Sequence, residues 1–168
     1  HGLVRNEIAA IHLYTMSERG VHSRIFGALN AVLRGGQEKP QLVKPFFKWI
    51  RLLQHALLKL PPAPLSETIF RAKRPDDATT KEFLRTHKER GVYPMWAFSS
   101  CTLDAEVAED YFRTRSEPYP EVGRRLLIAI DGGSTARDIQ QYSAAPKERE
   151  VLLPCAIGFK VKSVVGSD

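Results

Sequence analysis

Apolar positions in the first part of the chain recur at helical spacing. Ile8, Ile11 and Tyr14, then Ile25, Leu29, Val32 and Leu33, repeat every three or four residues across residues 4–34. Gly20 interrupts this pattern and Gly35-Gly36 stop it. A second helix is predicted after Pro45, which suits a first helical turn. Its stripe is Phe46, Ile50, Leu53, Leu57 and Leu60, and Pro61-Pro62 end it. Trp49 reads as core packing on that helix. Beyond Pro64 the period changes. Short β-branched or apolar runs at Glu67–Ala72, Met95–Ser99, Arg125–Ile130, Ile139–Ser143, Glu148–Leu153 and Ile157–Val165 predict strands. Helices are expected at Lys81–Lys88, stopped by Gly91, and at Asp104–Phe112, with Asp104 as N-cap. Asp131-Gly132-Gly133 is a turn signal. Helices first and strands afterwards predict an α+β domain. No linker divides the chain, so a single domain over residues 1–168 is expected, helical to about 62 and mainly β from about 66.

Composition narrows the class. The 168 residues are 43% apolar and 26% charged, ordinary globular usage that argues against a disordered chain. Cys101 and Cys155 cannot build a disulfide framework, and no Cys/His cluster has zinc spacing. No apolar run reaches the ~18 residues of a membrane span. The chain opens on His1, not Met, and reads as trimmed. A net charge of +6 suits an anionic ligand, an acidic partner or nucleic acid. The tightest basic sets are Arg71, Lys73, Arg74 and Arg113, Arg115. Neither forms a long stripe, which favours a solvated basic surface over a nucleic-acid face.

The common catalytic motifs are absent: no G-x-x-x-x-G-K-[ST], G-x-G-x-x-G, G-x-S-x-G or H-E-x-x-H occurs. His1, His12, His22, His55 and His87 show no ligand spacing, and Cys155 sits in an apolar run as a small apolar residue. One spacing stands out. If Glu148-Arg149-Glu150 lies on a strand, both carboxylates face the same way, with Cα atoms roughly 6.5–7 Å apart. Two carboxylates so placed can share a substrate, one opposing positive charge and the other handling a proton. The competing reading is a solvated strand end in the charged run Lys147–Glu150. Arg71 sits inside the apolar run Ile69-Phe70-Arg71-Ala72, where a guanidinium calls for an anion and its fixed fork suits a phosphate. Phe98-Ser99-Ser100-Cys101-Thr102 gathers hydroxyls and a thiol, which alone reads as turn or capping chemistry.

Arg on a first strand, an aromatic-S-[ST]-[ST] strand and a later E-x-E strand, in that order, resemble the mono-ADP-ribosyltransferases of the Arg-Ser-Glu class. Tyr14-Thr15 and Asn30-Ala31-Val32-Leu33-Arg34 are similar to that family's N-terminal helices, and Ser143 to Pro154 to its turn into the E-x-E strand. The likeness spans about residues 11–165 and covers bacterial toxins and animal enzymes alike. The second class of the superfamily has His-Gly on the first strand. Arg71-Ala72 here excludes it. The resemblance implies N-terminal helices followed by two small, roughly perpendicular sheets with NAD in the cleft between them, and no metal. It implies that Arg71 clamps the NAD pyrophosphate, and that Ala72 offers its backbone to the nicotinamide amide. Ser100 would fix Glu150. Glu150 would be the catalytic residue, and Glu148 would orient an acceptor guanidinium. Phe112 and Arg115 would stack on nicotinamide and reach a phosphate; the competing reading makes Phe112 the buried end of an amphipathic helix.

The chain departs from the family at Cys101, where Ser or Thr is usual, and at Ala145-Pro146, where an aromatic precedes the proline. The expected activity is transfer of ADP-ribose from NAD to an exposed arginine of a protein. The alternatives are an NAD glycohydrolase on the same residues, a non-catalytic basic nucleic-acid-binding module, and a nucleic-acid base as acceptor. The resemblance favours a toxin or effector that is secreted or delivered into a target cell, with a cytoplasmic enzyme as the alternative, and scarce cysteine leans only away from a disulfide-stabilised ectoenzyme.

Overall fold

A computed structural model of the chain describes residues 2–16, 21–36, 38–64, 67–73, 77–87, 91–114, 125–132 and 135–165. Helices α1 (Arg5–Thr15), α2 (Val21–Gly35) and α3 (Phe47–Lys59) come first, with two 3-10 turns, Pro40–Leu42 and Lys44–Phe46, leading into α3. Then follow β1 (Ile69–Lys73), α4 (Asp77–Thr86), β2 (Val92–Met95), β3 (Ser99–Thr102), α5 (Ala105–Thr114), β4 (Leu126–Ile130), β5 (Arg137–Asp138), β6 (Glu150–Leu153) and β7 (Ile157–Lys160). The strands make a five-stranded antiparallel sheet ordered β4-β1-β3-β6-β5 and a separate pair, β2-β7.

Alternation along β6 decides the layering. Glu150, Val151, Leu152 and Leu153 are all buried, so both faces of this strand are covered. Leu152 joins Phe98 and Ile139 against Ile11, Tyr14, Leu29, Leu53 and Leu57 of the three helices. Val151 and Leu153 join Ile69, Cys101 and Ile130 on the opposite face, with Met95, Ile157 and Phe159 of the small sheet packed over them. The α3 stripe is as the periodicity predicts: Leu53, Leu57 and Leu60 are buried, Phe46 and Ile50 half-buried against them. Trp49 is core as well, donating its indole N–H to the Ala10 carbonyl at 3.3 Å. Helices α1 and α3 are tied further by Lys59, whose ammonium lies 2.8 Å from the buried Glu7 carboxylate.

Several boundaries differ from the sequence reading, each for a local reason. The predicted strand Met95–Ser99 is two strands in different sheets, with residues 96–98 carrying the chain from one to the other. Pro94 has no N–H to give a ladder, which suits it to a two-stranded pair. The predicted strand Ile139–Ser143 is a 3-10 turn, Gln140–Tyr142, because the Asp138 carboxylate accepts the Gln140 N–H at 2.9 Å and turns the chain. Strand β7 stops at Lys160, where its partner β2 begins at Val92. Asp104 does cap α5, its carboxylate accepting the Glu106 N–H at 2.9 Å.

Candidate active site

Glu150 begins β6 and is only 5% exposed. An ionised carboxylate there needs donors on both oxygens. Ser100 Oγ, from β3, donates to Oε1 at 2.5 Å, and Ser143 Oγ donates to Oε2 at 2.7 Å. The register explains the first contact. Thr102 lies opposite Glu150, so Ser100, two residues along β3, points to the same face as Glu150. The second arises because the chain folds back through the Pro146–Glu148 3-10 turn, and Ser143 Oγ also accepts the Ala145 N–H at 3.1 Å. Burial pushes the Glu150 carboxyl above its ordinary value, the two hydroxyls pull it down, and nearby Glu148 raises it.

The first two helices hold this loop. Thr15 Oγ1 accepts the Ala144 N–H at 2.8 Å, and Tyr14 Oη accepts from Asn30 Nδ2 at 3.0 Å within the core. Tyr14 is pushed up to about 12 by burial, so it stays a neutral phenol. The Y-T and N positions quoted from the sequence thus meet in space. What they do, locking α1 to α2 and to the loop before Glu150, is not visible in their spacing.

Arg71 lies on β1. The β1–β3 ladder registers only at Phe70↔Thr102, and the Ser100 carbonyl takes the Arg71 Nη1–H instead, at 2.9 Å. Arg71, Ser100 and Glu150 are therefore contiguous: guanidinium to backbone carbonyl, hydroxyl to carboxylate. Arg71 Nε is buried with no protein partner. Lys73, two residues on and on the same face, is half-buried with its ammonium 5.5 Å from the Phe83 ring centroid. Burial first, then the charges of Arg71 and Arg34, pull Lys73 down to about 8. Arg34, exposed at the end of α2, is near enough to add the smaller part of that repulsion. None of the three makes an ion pair among the described residues. Three cations and a buried guanidinium N–H without a partner fit a dinucleotide's diphosphate.

Glu148 requires a correction. It is not on the strand with Glu150. It is exposed at the end of the 3-10 turn, and Arg149 between them has φ 45°, the left-handed region. Same-face alternation therefore does not apply. The turn is held by Thr102 Oγ1, which donates to the Glu148 carbonyl at 2.7 Å, and by the Leu103 N–H, which donates to the Arg149 carbonyl at 3.3 Å. Ala72 is registered opposite Leu127 on the β4 side of β1. Cys101 is buried on the opposite face from Ser100, and burial pushes its thiol up to about 11, so it is a neutral core residue. Ala145 is half-buried and Pro146 exposed. Arg115 and the side chain of Phe112 lie outside the described residues. No group of three or more metal-ligating side chains occurs among the described residues.

The model of the family described as NAD:arginine ADP-ribosyltransferase matches residues 1–167. The chain belongs to that family. NAD is accordingly its co-substrate and ADP-ribosyl transfer its chemistry. No curated protein matches it in sequence. Among solved structures it is similar to the Vis toxin, an ADP-ribosyltransferase from Vibrio splendidus, with TM-score 0.70 and 22% identity, covering 99% of this chain and 70% of that one. It is also similar to the ADP-ribosyltransferase HopU1 of Pseudomonas syringae pv. tomato DC3000, with TM-score 0.64 and 21% identity over 94% of this chain and 70% of that one. A third likeness is to the eucaryotic mono-ADP-ribosyltransferase ART2.2, with TM-score 0.65 and 20% identity over 98% and 63%. These identities speak for a shared ADP-ribosyltransferase fold, matching the helices followed by two antiparallel sheets.

Two residues of this candidate site carry no clear signal in the sequence, Ser143 and Lys73. Ser143 shows no role in the sequence, since its contact with Glu150 depends on a folded turn. Lys73 reads in the sequence as one more surface charge, and its spacing of two from Arg71 on a strand shows only that the two share a face.

Proposed function

We propose that residues 1–168 form one catalytic domain that moves ADP-ribose from NAD to an arginine side chain of a target protein and releases nicotinamide. The observation that carries this reading is the Glu150 carboxylate, buried and held on both oxygens, next to a strand that presents Arg71 and Lys73. Breaking the bond between the ribose C1′ and the nicotinamide nitrogen leaves an oxocarbenium-like sugar, as in glycoside cleavage. Nicotinamide leaves neutral, taking the bonding pair, so no general acid is required. A preorganised anion beside the sugar is required, and two hydroxyls hold the Glu150 carboxylate in one orientation. Arg71, Lys73 and Arg34 hold the diphosphate, and Ala72 offers its backbone to the nicotinamide amide. Phe112 and Arg115 stack on the nicotinamide and contact a phosphate. Glu148, exposed at the rim, pairs with the incoming guanidinium and takes its proton as nitrogen bonds C1′.

Two solved complexes support the reading. Vis has been solved with agmatine, a guanidino compound, and the E189A mutant of ART2.2 with NADH. Vis is a toxin, as is Plx2a of Paenibacillus larvae, which supports action as a toxin or delivered effector. The test is incubation with labelled NAD and agmatine. ADP-ribosylated agmatine with free nicotinamide is expected. Free ADP-ribose as the sole product would replace the transferase reading with a glycohydrolase, and intact NAD would remove both.

Lys73 gives a separate prediction. Lys73→Gln is expected to raise KM for NAD about tenfold or more, from the roughly 1.5–3 kcal/mol of a hydrogen bond to a charged group, with kcat little changed. Its ammonium is protonated below about pH 8 and loses its proton above, so affinity for the diphosphate is present below that value and fades above it. KM of the parent enzyme should therefore climb in the alkaline range, and Lys73→Arg should flatten the climb. Steady-state kinetics from pH 7 to 10 checks both.

A further inference from the structure

The charge of this chain is not spread evenly. Residues 39–66 contain Lys39, Lys44, Lys48, Arg51 and Lys59 and no acidic residue, against a net charge of +6 for the whole chain. Lys59 is committed to Glu7. Lys39, Lys44, Lys48 and Arg51 are exposed and make no ion pair among the described residues. Apolar side chains stand among them: Leu42 is 49% exposed, Phe47 56% and Leu58 75%.

Helical geometry groups them. At 100° per residue, Phe47, Lys48, Arg51, His55 and Leu58 fall on one side of α3, opposite the buried Leu53, Ala56 and Leu57. The 3-10 turns that run into α3 add Leu42 and Lys44 beside its first turn. A face that mixes bulky apolar side chains with cations is not what a merely solvated helix shows, since exposed Phe and Leu gain nothing from water. Nor does it suit a phosphodiester backbone, which rewards cations alone. It suits a surface with an anionic headgroup layer above an apolar interior. Cations meet the headgroups there, and Phe and Leu enter the acyl boundary.

We propose that the outer face of α3, with the turn before it, docks this domain on anionic membranes. The contact is peripheral: no helix among the described residues is long and apolar enough to cross a bilayer. The residues that make it are not those of the NAD site, so docking and catalysis can be separated by mutation.

Co-sedimentation with phosphatidylcholine vesicles containing about one third phosphatidylserine, beside pure phosphatidylcholine vesicles, tests the proposal. Binding to the anionic vesicles alone is expected, weakening from 0.1 to 0.5 M salt. Each cation near such a surface is worth about fivefold in affinity, so Lys48→Gln with Arg51→Gln should lose roughly 30-fold. Phe47→Ser with Leu58→Ser should lose binding several-fold at constant charge, and both double variants should keep NAD cleavage, which certifies the fold. No binding to anionic vesicles would overturn the proposal. So would binding that ignores Phe47 and Leu58, or that short RNA competes away with equal loss in the charge variant. Those last results would assign the face to electrostatic contact with nucleic acid.

Discussion

Replacing Glu150 with Gln is expected to lower nicotinamide release from NAD by roughly 100- to 1,000-fold, the effect of removing one preorganised electrostatic partner of a transition state. The shape of the side chain and its two serine neighbours survive, so only the charge is lost. The stability change should run the other way. The fold raises the Glu150 carboxyl, chiefly by burial. A raised carboxyl favours the protonated form in the folded state, so its contribution to stability is present at acid pH and disappears as pH rises through the raised value. At neutral pH the ionised group is a buried charge whose cost the two hydroxyls only partly offset. Glu150→Gln should therefore melt at or above the parent's temperature at pH 7, and the gap should close as pH falls. Thermal denaturation at pH 7 and pH 4, beside a nicotinamide assay, reads both effects. An inactive variant that also melts much lower at pH 7 would make Glu150 a structural residue.

Glu148→Gln should separate the two halves of the reaction. The Glu148 carboxylate is exposed and makes no hydrogen bond or ion pair among the described residues, so the fold does not need it. Surface changes of this kind are usually within about 0.5 kcal/mol in stability. Its partner in the proposed mechanism is the acceptor. A neutral amide gives up the charge-assisted pairing with a guanidinium, worth roughly 1.5–3 kcal/mol, and with it a proton acceptor. Transfer to agmatine is therefore expected to fall about 10- to 100-fold while nicotinamide release into water persists. The ratio of ADP-ribosyl-agmatine to free ADP-ribose measures this directly. Loss of both products in equal proportion would place Glu148 in NAD cleavage and not at the acceptor.

The elements that a sequence discloses are those governed by local periodicity. The stripe from Phe46 to Leu60 needs only a 3.6-residue repeat, and it reads correctly. So does the Asp104 cap, a contact two residues long. The strand boundaries were less legible. Run 92–98 is apolar and leads straight into the serines of β3, yet the chain crosses from one sheet to another at residues 96–98, a decision made by packing. For the site, residue type and order pointed to Arg71, Ser100 and Glu150 through a family likeness. The assumption that Glu148 and Glu150 share a strand face failed, because Arg149 takes a left-handed conformation that no alternation rule anticipates. Ser143 was invisible for a related reason: a hydroxyl seven residues from the carboxylate it binds is a neighbour only when a 3-10 turn folds the loop back. Lys73 became informative only once its burial, its place over Phe83 and its proximity to Arg71 and Arg34 were known.

In the proposed mechanism one buried carboxylate, Glu150, works ionised, and its neighbours set its proton affinity in opposite senses. The pH dependence of nicotinamide release under single-turnover conditions reads that affinity. The acid limb of the parent enzyme should lie above the ordinary carboxylate range. Ser143→Ala removes a hydrogen bond that lowers the Glu150 carboxyl, so its limb should move to higher pH; Glu148→Gln removes a neighbouring charge that raises it, so its limb should move to lower pH. Opposite displacements of the two variants are the predicted result. A limb that stays at one pH in all three proteins would mean that Glu150 is not the group whose charge drives the reaction.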